Sequence, residues 1–143
     1  MTDKEKDLGV IIHHNLAWKD HIVGKVNTAS KILRLIKRTV RGTSNKDVIK
    51  NLYIHMVRPH LEYACEVWSP RQKYFKDVIE AVQRRATKLT IENKSYKDRL
   101  KELNLLTLAP RRTLIDLTFF YKCLHGYCDS CHNSQTYSTM LMK

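Results

Sequence analysis

Basic side chains on two predicted helices form the strongest chemical signal in this sequence. The first helix carries Arg34, Lys37, Arg38 and Arg41, and the second carries Arg84, Arg85 and Lys88. Guanidinium and ammonium groups suit phosphate oxygens, and almost no acidic residue balances them on these faces. The pattern predicts contacts with the phosphates of a nucleic-acid duplex. The alternative is a solvated outer face, which every amphipathic helix has.

The overall charge agrees with that prediction. Lys and Arg number 26 against 14 Asp and Glu, which gives a net charge of +12 and a pI of about 9.7. Such an excess favours a polyanionic partner, with nucleic acid first and an acidic membrane surface second. A basic protein without a polyanionic partner remains the other interpretation.

Residue patterns of the common phosphate-handling and hydrolytic enzymes are missing from the sequence. Polymerase chemistry needs carboxylates that converge on Mg²⁺, and no two Asp residues are adjacent in the chain. The sequence also has no glycine-rich phosphate loop and no serine nucleophile elbow. We therefore expect no catalytic residue and no cofactor in this chain.

The segment Cys128-Asp-Ser-Cys131-His132 matches the spacing of a haem-attachment motif. Zinc is the alternative, bound by Cys123, Cys128, Cys131 and either His125 or His132. These candidates crowd into ten residues, whereas structural zinc sites usually need a second ligand pair set well apart. We expect a chance match in a loose tail, with no metal bound.

Two features of the sequence concern the compartment of the protein. No apolar run is long enough to span a bilayer, and residues 2–7 are charged and polar, unlike a signal peptide. We therefore expect the protein to lie in a reducing, intracellular compartment. If it binds nucleic acid, we expect that compartment to be the nucleus. The cysteines are then expected to be thiols, with Cys65 buried on an apolar helix face.

Hydrophobic periodicity predicts a mainly all-α fold. Residues 7–12 form a β-type run that finds no second strong strand candidate, so we expect an orphan strand. Two long helices are predicted over residues 18–41 and 74–89. Further helices are predicted from a cap at Ser44 to just before Pro59, from Pro59 to Ser69, and from Pro110 to near Gly126, and a short helix is predicted to begin at Ser95. The architecture is a bundle of about five or six helices. The last helix is apolar on several sides and is expected to be central.

Several motifs within this helical pattern resemble a known family. Val57-Arg-Pro-His-Leu-Glu-Tyr-Ala64, Val67-Trp-Ser-Pro70 and Val82-Gln-Arg-Arg-Ala-Thr-Lys88 resemble end-of-domain motifs of reverse transcriptases from jockey-like non-long-terminal-repeat retrotransposons. Residues 7–12, 18–22, 35–38, 108–112 and 121–122 agree with the family in order and spacing. The resemblance runs from about residue 7 to residue 126.

The resemblance implies a fragment of a larger polymerase. The fingers and the catalytic palm, with the paired Asp residues that hold Mg²⁺, would lie upstream and be partners of this chain. Residues 1–17 would be a remnant of the last palm strand and its turn, and residues 18–126 are similar to the thumb that grips the primer–template duplex. Residues 127–143 depart from the family and are expected to form a loose tail.

The expected activity is sequence-independent binding of RNA–DNA or DNA duplexes through phosphates, without catalysis. The matching segment at 108–112 adds Arg111 and Arg112 to the candidate binding residues. The alternative is an inert or repurposed basic helical protein-interaction module.

Overall fold

The structure is a computed structural model, and it describes residues 4–15, 17–42, 45–70 and 72–127. The fold is mainly α-helical, as the sequence predicts, with one small β-hairpin. The elements are β1 Lys4–Asp7, β2 Val10–His13, α1 Lys19–Thr39, α2 Lys46–Leu52, a π-helical segment Tyr53–Val57, α3 Arg58–Glu62, α4 Cys65–Trp68, α5 Lys73–Thr90, α6 Tyr96–Glu102 and α7 Leu108–Leu124.

Helix α1 follows the apolar stripe that the sequence shows. Its buried positions are spaced four and three residues apart, which places them on one side of a 3.6-residue helix. These positions are Ile22, Val26, Ala29, Leu33 and Ile36. The stripe packs against α5, so the basic residues of α1 are left on its remaining surface.

The predicted stop before Pro59 is wrong, because α2, the π-helical segment and α3 run on as one helix. Proline lacks an N–H, and its ring clashes with the carbonyl four residues earlier in a regular α-helix. In the π-helical turn the Arg58 N–H instead donates to the Tyr53 carbonyl, five residues earlier. This wider turn admits Pro59 without ending the helix.

The predicted single helix from Pro59 to Ser69 is interrupted at Ala64. This residue has a left-handed backbone with φ 52° and ψ 32°, and it separates α3 from α4. The Trp68 Nε1–H donates to the Tyr63 carbonyl at 2.7 Å across the break. Leu61, Cys65 and Trp68 all remain buried, as their shared helical face predicts.

The strand predicted at residues 7–12 is not an orphan. Lys4–Asp7 pairs antiparallel with Val10–His13 through a turn in which Leu8 and Gly9 both have positive φ. The partner was missed because all four residues of β1 are polar or charged and exposed. The Tyr63 hydroxyl donates to the Leu8 carbonyl at 2.8 Å and fixes the hairpin to the helices.

The apolar core lies between α1, α5 and the chain from the π-helical segment to α4. Helix α7 contributes only Leu108 to the buried part of that core, so its predicted central position is wrong. The other helices already fill the interior, and the second half of α7 exposes its large apolar side chains. Of the predicted tail, only Tyr127 is among the described residues.

Candidate nucleic-acid interface

One hydrogen bond joins the two basic helix faces that the sequence singles out. The Arg85 guanidinium on α5 donates from Nη2 to the Ser30 hydroxyl on α1 at 3.1 Å. Its Nε also donates to the Ala81 carbonyl at 3.3 Å, one turn earlier on α5. The side chain is thereby held across the groove between α1 and α5.

The candidate binding residues of the first basic helix follow Ser30 along the chain. Arg34 and Lys37 follow Ser30 by four and seven residues, which keeps them on one flank of the helix. Arg38 projects further outward, Arg41 lies in the turn after the helix ends at Thr39, and all four basic residues are exposed. The flank of α1 that meets α5 is therefore basic over about two helical turns, from Ser30 to Lys37.

Helix α5 continues the same surface on the other side of the contact. Lys88 lies one turn after Arg85, and both are exposed. Arg84 is exposed as well and lies over the ring of Tyr96 on α6, with 5.1 Å between the guanidinium carbon and the ring centre. We call the combined patch the basic surface, made of Arg34, Lys37, Arg38, Arg41, Arg84, Arg85 and Lys88.

Acidic side chains do not neutralise the basic surface. Within the described ranges, no carboxylate lies within 4.0 Å of any of its seven cationic groups. Asp20 is at the start of α1, and Glu80 on α5 turns inward to accept hydrogen bonds from the Tyr96 hydroxyl and the Leu108 N–H. The positive charge therefore faces solvent.

Arg111 lies outside the basic surface. Its Nε forms an ion pair with the Glu62 carboxylate, which also lies 3.7 Å from the Arg58 Nε. The Arg58 contact lies within α3, the Arg111 contact joins α3 to α7, and both are partly buried. This arginine therefore joins two helices of the fold, and its charge is balanced there.

Arg112 is buried in the protein with an exposure of 4%. Its guanidinium lies over the Trp68 ring, with 4.6 Å between the guanidinium carbon and the ring centre, and donates to the Leu61 carbonyl. Burial lowers the pKa of this arginine, and the acidic groups around it oppose the shift. Arg112 thus packs α7 against α3 and α4, away from solvent.

The sequence did not single out Ser30 and Tyr96, which position Arg85 and Arg84. A serine on a helix and a tyrosine at the start of another carry no signal of an arginine partner. Their roles depend on which helices become neighbours, and hydrophobic periodicity does not define that.

The candidate metal-binding tail, with Cys128, Cys131 and His132, lies outside the described residues. Across the part of the chain that the structure describes, no group of three or more potential metal ligands is present. Cys65 is a buried thiol, as predicted, and burial raises its pKa to about 11. It is therefore protonated near neutral pH and unsuited to nucleophilic chemistry.

Comparison with known proteins finds a similar protein in a nematode. The chain is 30% identical over 129 residues to an uncharacterized protein of Caenorhabditis elegans, a match that covers 87% of this chain and 65% of the relative. The chain thus spans slightly less than two thirds of that protein's length. No protein-family model and no solved structure matches the chain. Among the described helices, none has both the length and the apolar character needed to cross a bilayer.

Proposed function

We propose that this chain is the thumb-like part of a retrotransposon reverse transcriptase and that it binds nucleic-acid duplexes through their phosphates. The observation that carries the binding proposal is the basic surface, in which the Ser30–Arg85 contact joins two helix faces and no carboxylate of the described residues lies within 4.0 Å of the cationic groups. The proposed parent family rests on the motifs described in the sequence analysis.

The geometry of the basic surface suits backbone contacts. Arg34 and Arg38 are one turn apart, a rise of about 6 Å along α1, and Lys88 lies beyond the groove on α5. Arginine forks and lysine ammonium groups bind phosphate oxygens and position a protein without reading bases. The expected binding is therefore strong at low salt and indifferent to sequence.

The proposal assigns no chemical step to this chain. Phosphoryl transfer by a polymerase uses carboxylates that bind Mg²⁺, and the sequence offers no adjacent Asp pair for that purpose. In the proposed parent protein, the metal and the palm that binds it would lie in another part of the polypeptide.

A salt titration tests the binding proposal. Fluorescence anisotropy would measure the affinity for an RNA–DNA hybrid and for a DNA duplex at several salt concentrations. If about four to six phosphates are engaged, log K falls against log salt with a slope of about −4 to −5. The variant R34Q/R38Q/K88Q is expected to flatten the slope by about 2–3 and to weaken both duplexes alike.

The matched control removes the same charge elsewhere. Lys4, Lys6 and Lys101 are exposed and have no carboxylate within 4.0 Å among the described residues. The variant K4Q/K6Q/K101Q is therefore expected to retain most of the affinity and slope. Equal losses in the two triple variants would show an effect of net charge alone, and a parent protein without salt-dependent binding would refute the proposal.

A protein-interaction module is the second candidate function. It is favoured by the second half of α7, where Leu117, Phe120 and Leu124 are 59%, 57% and 54% exposed. Large apolar side chains grouped on a surface commonly mark a protein interface.

A further inference from the structure

The face of α7 that points away from the core carries a regular apolar stripe. Leu114, Leu117, Tyr121 and Leu124 are spaced three, four and three residues apart, and each is between 54% and 59% exposed. This is the spacing of the a and d positions of a coiled coil, which brings one seam toward a partner helix. We call these four residues the outer seam.

The opposite face of α7 makes the contacts with the rest of the protein. Leu108 and Arg112 are buried, and Ile115 packs partly against the core. On a helix these positions lie roughly opposite Leu117 and Tyr121. Among the described residues, the contacts that hold α7 to the fold therefore lie on the face opposite the outer seam.

Charge is low along this part of α7. From Leu114 to Leu124 the helix contains one acidic and one basic residue, Asp116 and Lys122. Asp116 lies on the core side, where burial raises the pKa of its carboxyl. The positions that flank the outer seam at 118 and 120 are Thr and Phe. A second copy of this helix would thus meet little local repulsion despite the net charge of +12.

The exposed area matches that of a small, weak dimer interface. The outer seam, with Phe120 on its flank, presents five large apolar side chains that are between 54% and 59% exposed. At about 200 Å² for each such side chain, they offer roughly 550 Å². Two copies would bury about 1,100 Å² in total, which is in the range of weak and transient complexes.

We propose that a second copy of this chain binds the outer seam, so that two α7 helices pack antiparallel about a two-fold axis. In an antiparallel pair an a position faces a d position of the other helix. Leu114 then faces Leu124 of the second copy, and Leu117 faces Tyr121. Each contact occurs twice, as an isologous interface requires.

Sedimentation velocity of the full chain without nucleic acid tests this proposal. The parent protein is expected to pass from a 16.9 kDa monomer to a dimer between about 1 and 100 µM, the micromolar range expected of small interfaces. L117E places a charge in the apolar seam and should raise the dissociation constant at least about tenfold. The control L35E changes a leucine of similar exposure on α1, 56% against 59% for Leu117, and should leave the dissociation constant unchanged.

A charge pair tests the antiparallel arrangement. Y121K is expected to be monomeric like L117E, because it also places a charge in the seam. An equimolar mixture of L117E and Y121K should regain a heterodimer, since each new carboxylate faces a new ammonium group and the other layer keeps Leu117 against Tyr121. Circular dichroism of each variant would establish that the helices remain folded.

Three results would overturn the proposal. They are a parent protein that stays monomeric at 100 µM, a dimer that survives L117E, and folded L117E and Y121K that fail to associate when mixed. None of these results depends on nucleic-acid binding, since the basic surface lies on α1 and α5. The dimer and the proposed function can therefore fail separately.

Discussion

At the scale of single residues, Arg112 and Arg34 show how differently one residue type is used in this protein. Arg112 lies over Trp68 and donates to the Leu61 carbonyl in the interior, whereas Arg34 projects from α1 into solvent. The sequence alone placed both arginines in the binding surface. These environments predict that truncation of Arg112 lowers stability, whereas truncation of Arg34 weakens binding.

We expect R112A to lower the free energy of unfolding by about 2–3 kcal/mol, because it leaves a cavity beside Trp68 and a buried carbonyl without a donor. R34A should change stability by less than about 0.5 kcal/mol, as is usual for an exposed side chain. Urea unfolding followed by fluorescence would measure both. Duplex binding measured on the folded proteins should weaken in R34A and stay unchanged in R112A, and the reverse pattern would contradict this assignment.

His21 is expected to make the stability of the fold depend on mildly acidic pH. It is 1% exposed, its Nδ1 accepts the Ile11 N–H at 3.1 Å, and its ring lies 5.0 Å from that of Trp68. Burial lowers its pKa to about 4, and the nearby Lys25 charge contributes to the shift. The folded protein thus keeps this imidazole neutral at pH values where the unfolded chain protonates it.

The sign of the pH effect follows from that lowered pKa. The contribution of the neutral imidazole to the free energy of unfolding is fully present above about pH 6.5 and is lost as the pH falls toward about 4. By pH 5 the loss amounts to about 2 kcal/mol. H21Q, which cannot be protonated and keeps an acceptor oxygen, should lose about that much less stability between pH 7.5 and pH 5. Equal pH dependence of the two proteins in urea unfolding would show that His21 is not responsible.

At the scale of elements, hydrophobic periodicity predicted the long helices well. The 18–41 and 74–89 patterns correspond to Lys19–Thr39 and Lys73–Thr90, and the side chain of Ser95 caps α6 as expected. Each of these signals is local, because it depends on residues within a few turns of one another. At the start of α2 the side chain that caps the helix is Asn45, and the predicted cap at Ser44 lies outside the described residues.

Elements whose form depends on contacts with distant parts of the chain were predicted poorly. The π-helical segment before Pro59 and the left-handed Ala64 maintain the burial of Val57, Leu61 and Cys65, which the sequence could indicate only as a shared face. Strand β1 has no apolar alternation, so its pairing depends on the turn at Leu8 and Gly9 and not on a hydrophobic pattern. The apolar composition of α7 indicated burial, but α1 and α5 already fill the core.

At the scale of the whole molecule, the candidate site depends on how the helices are placed. The sequence identified the seven exposed basic residues but could not show that α1 and α5 are neighbours joined by Arg85 and Ser30. Nor could it separate them from Arg111 and Arg112, whose partners Glu62 and Leu61 are about fifty residues away. Residue type indicates the chemistry, and tertiary contacts decide which groups are available for it.

We expect the position of the basic residues in the folded protein, and not the net charge alone, to determine whether a duplex stabilises the fold. The unfolded chain carries the same net charge of +12 as the folded protein, so charge alone would bind a polyanion in both states. Only a site assembled by folding makes a duplex stabilise the fold. At a free duplex concentration of 100 times the dissociation constant, we expect the free energy of unfolding to rise by up to about 2.7 kcal/mol.

Urea unfolding at low salt, followed by the fluorescence of the buried Trp68, would measure this gain because urea adds no ionic strength. The R34Q/R38Q/K88Q variant at the same duplex concentration should gain much less, and K4Q/K6Q/K101Q should gain nearly as much as the parent. Raising the salt should remove the gain in all three, since the contacts are with phosphates. If the duplex binds the parent but leaves its urea midpoint unchanged, the polyanion recognises the unfolded and folded chains alike, and the surface formed by α1 and α5 is not a binding site.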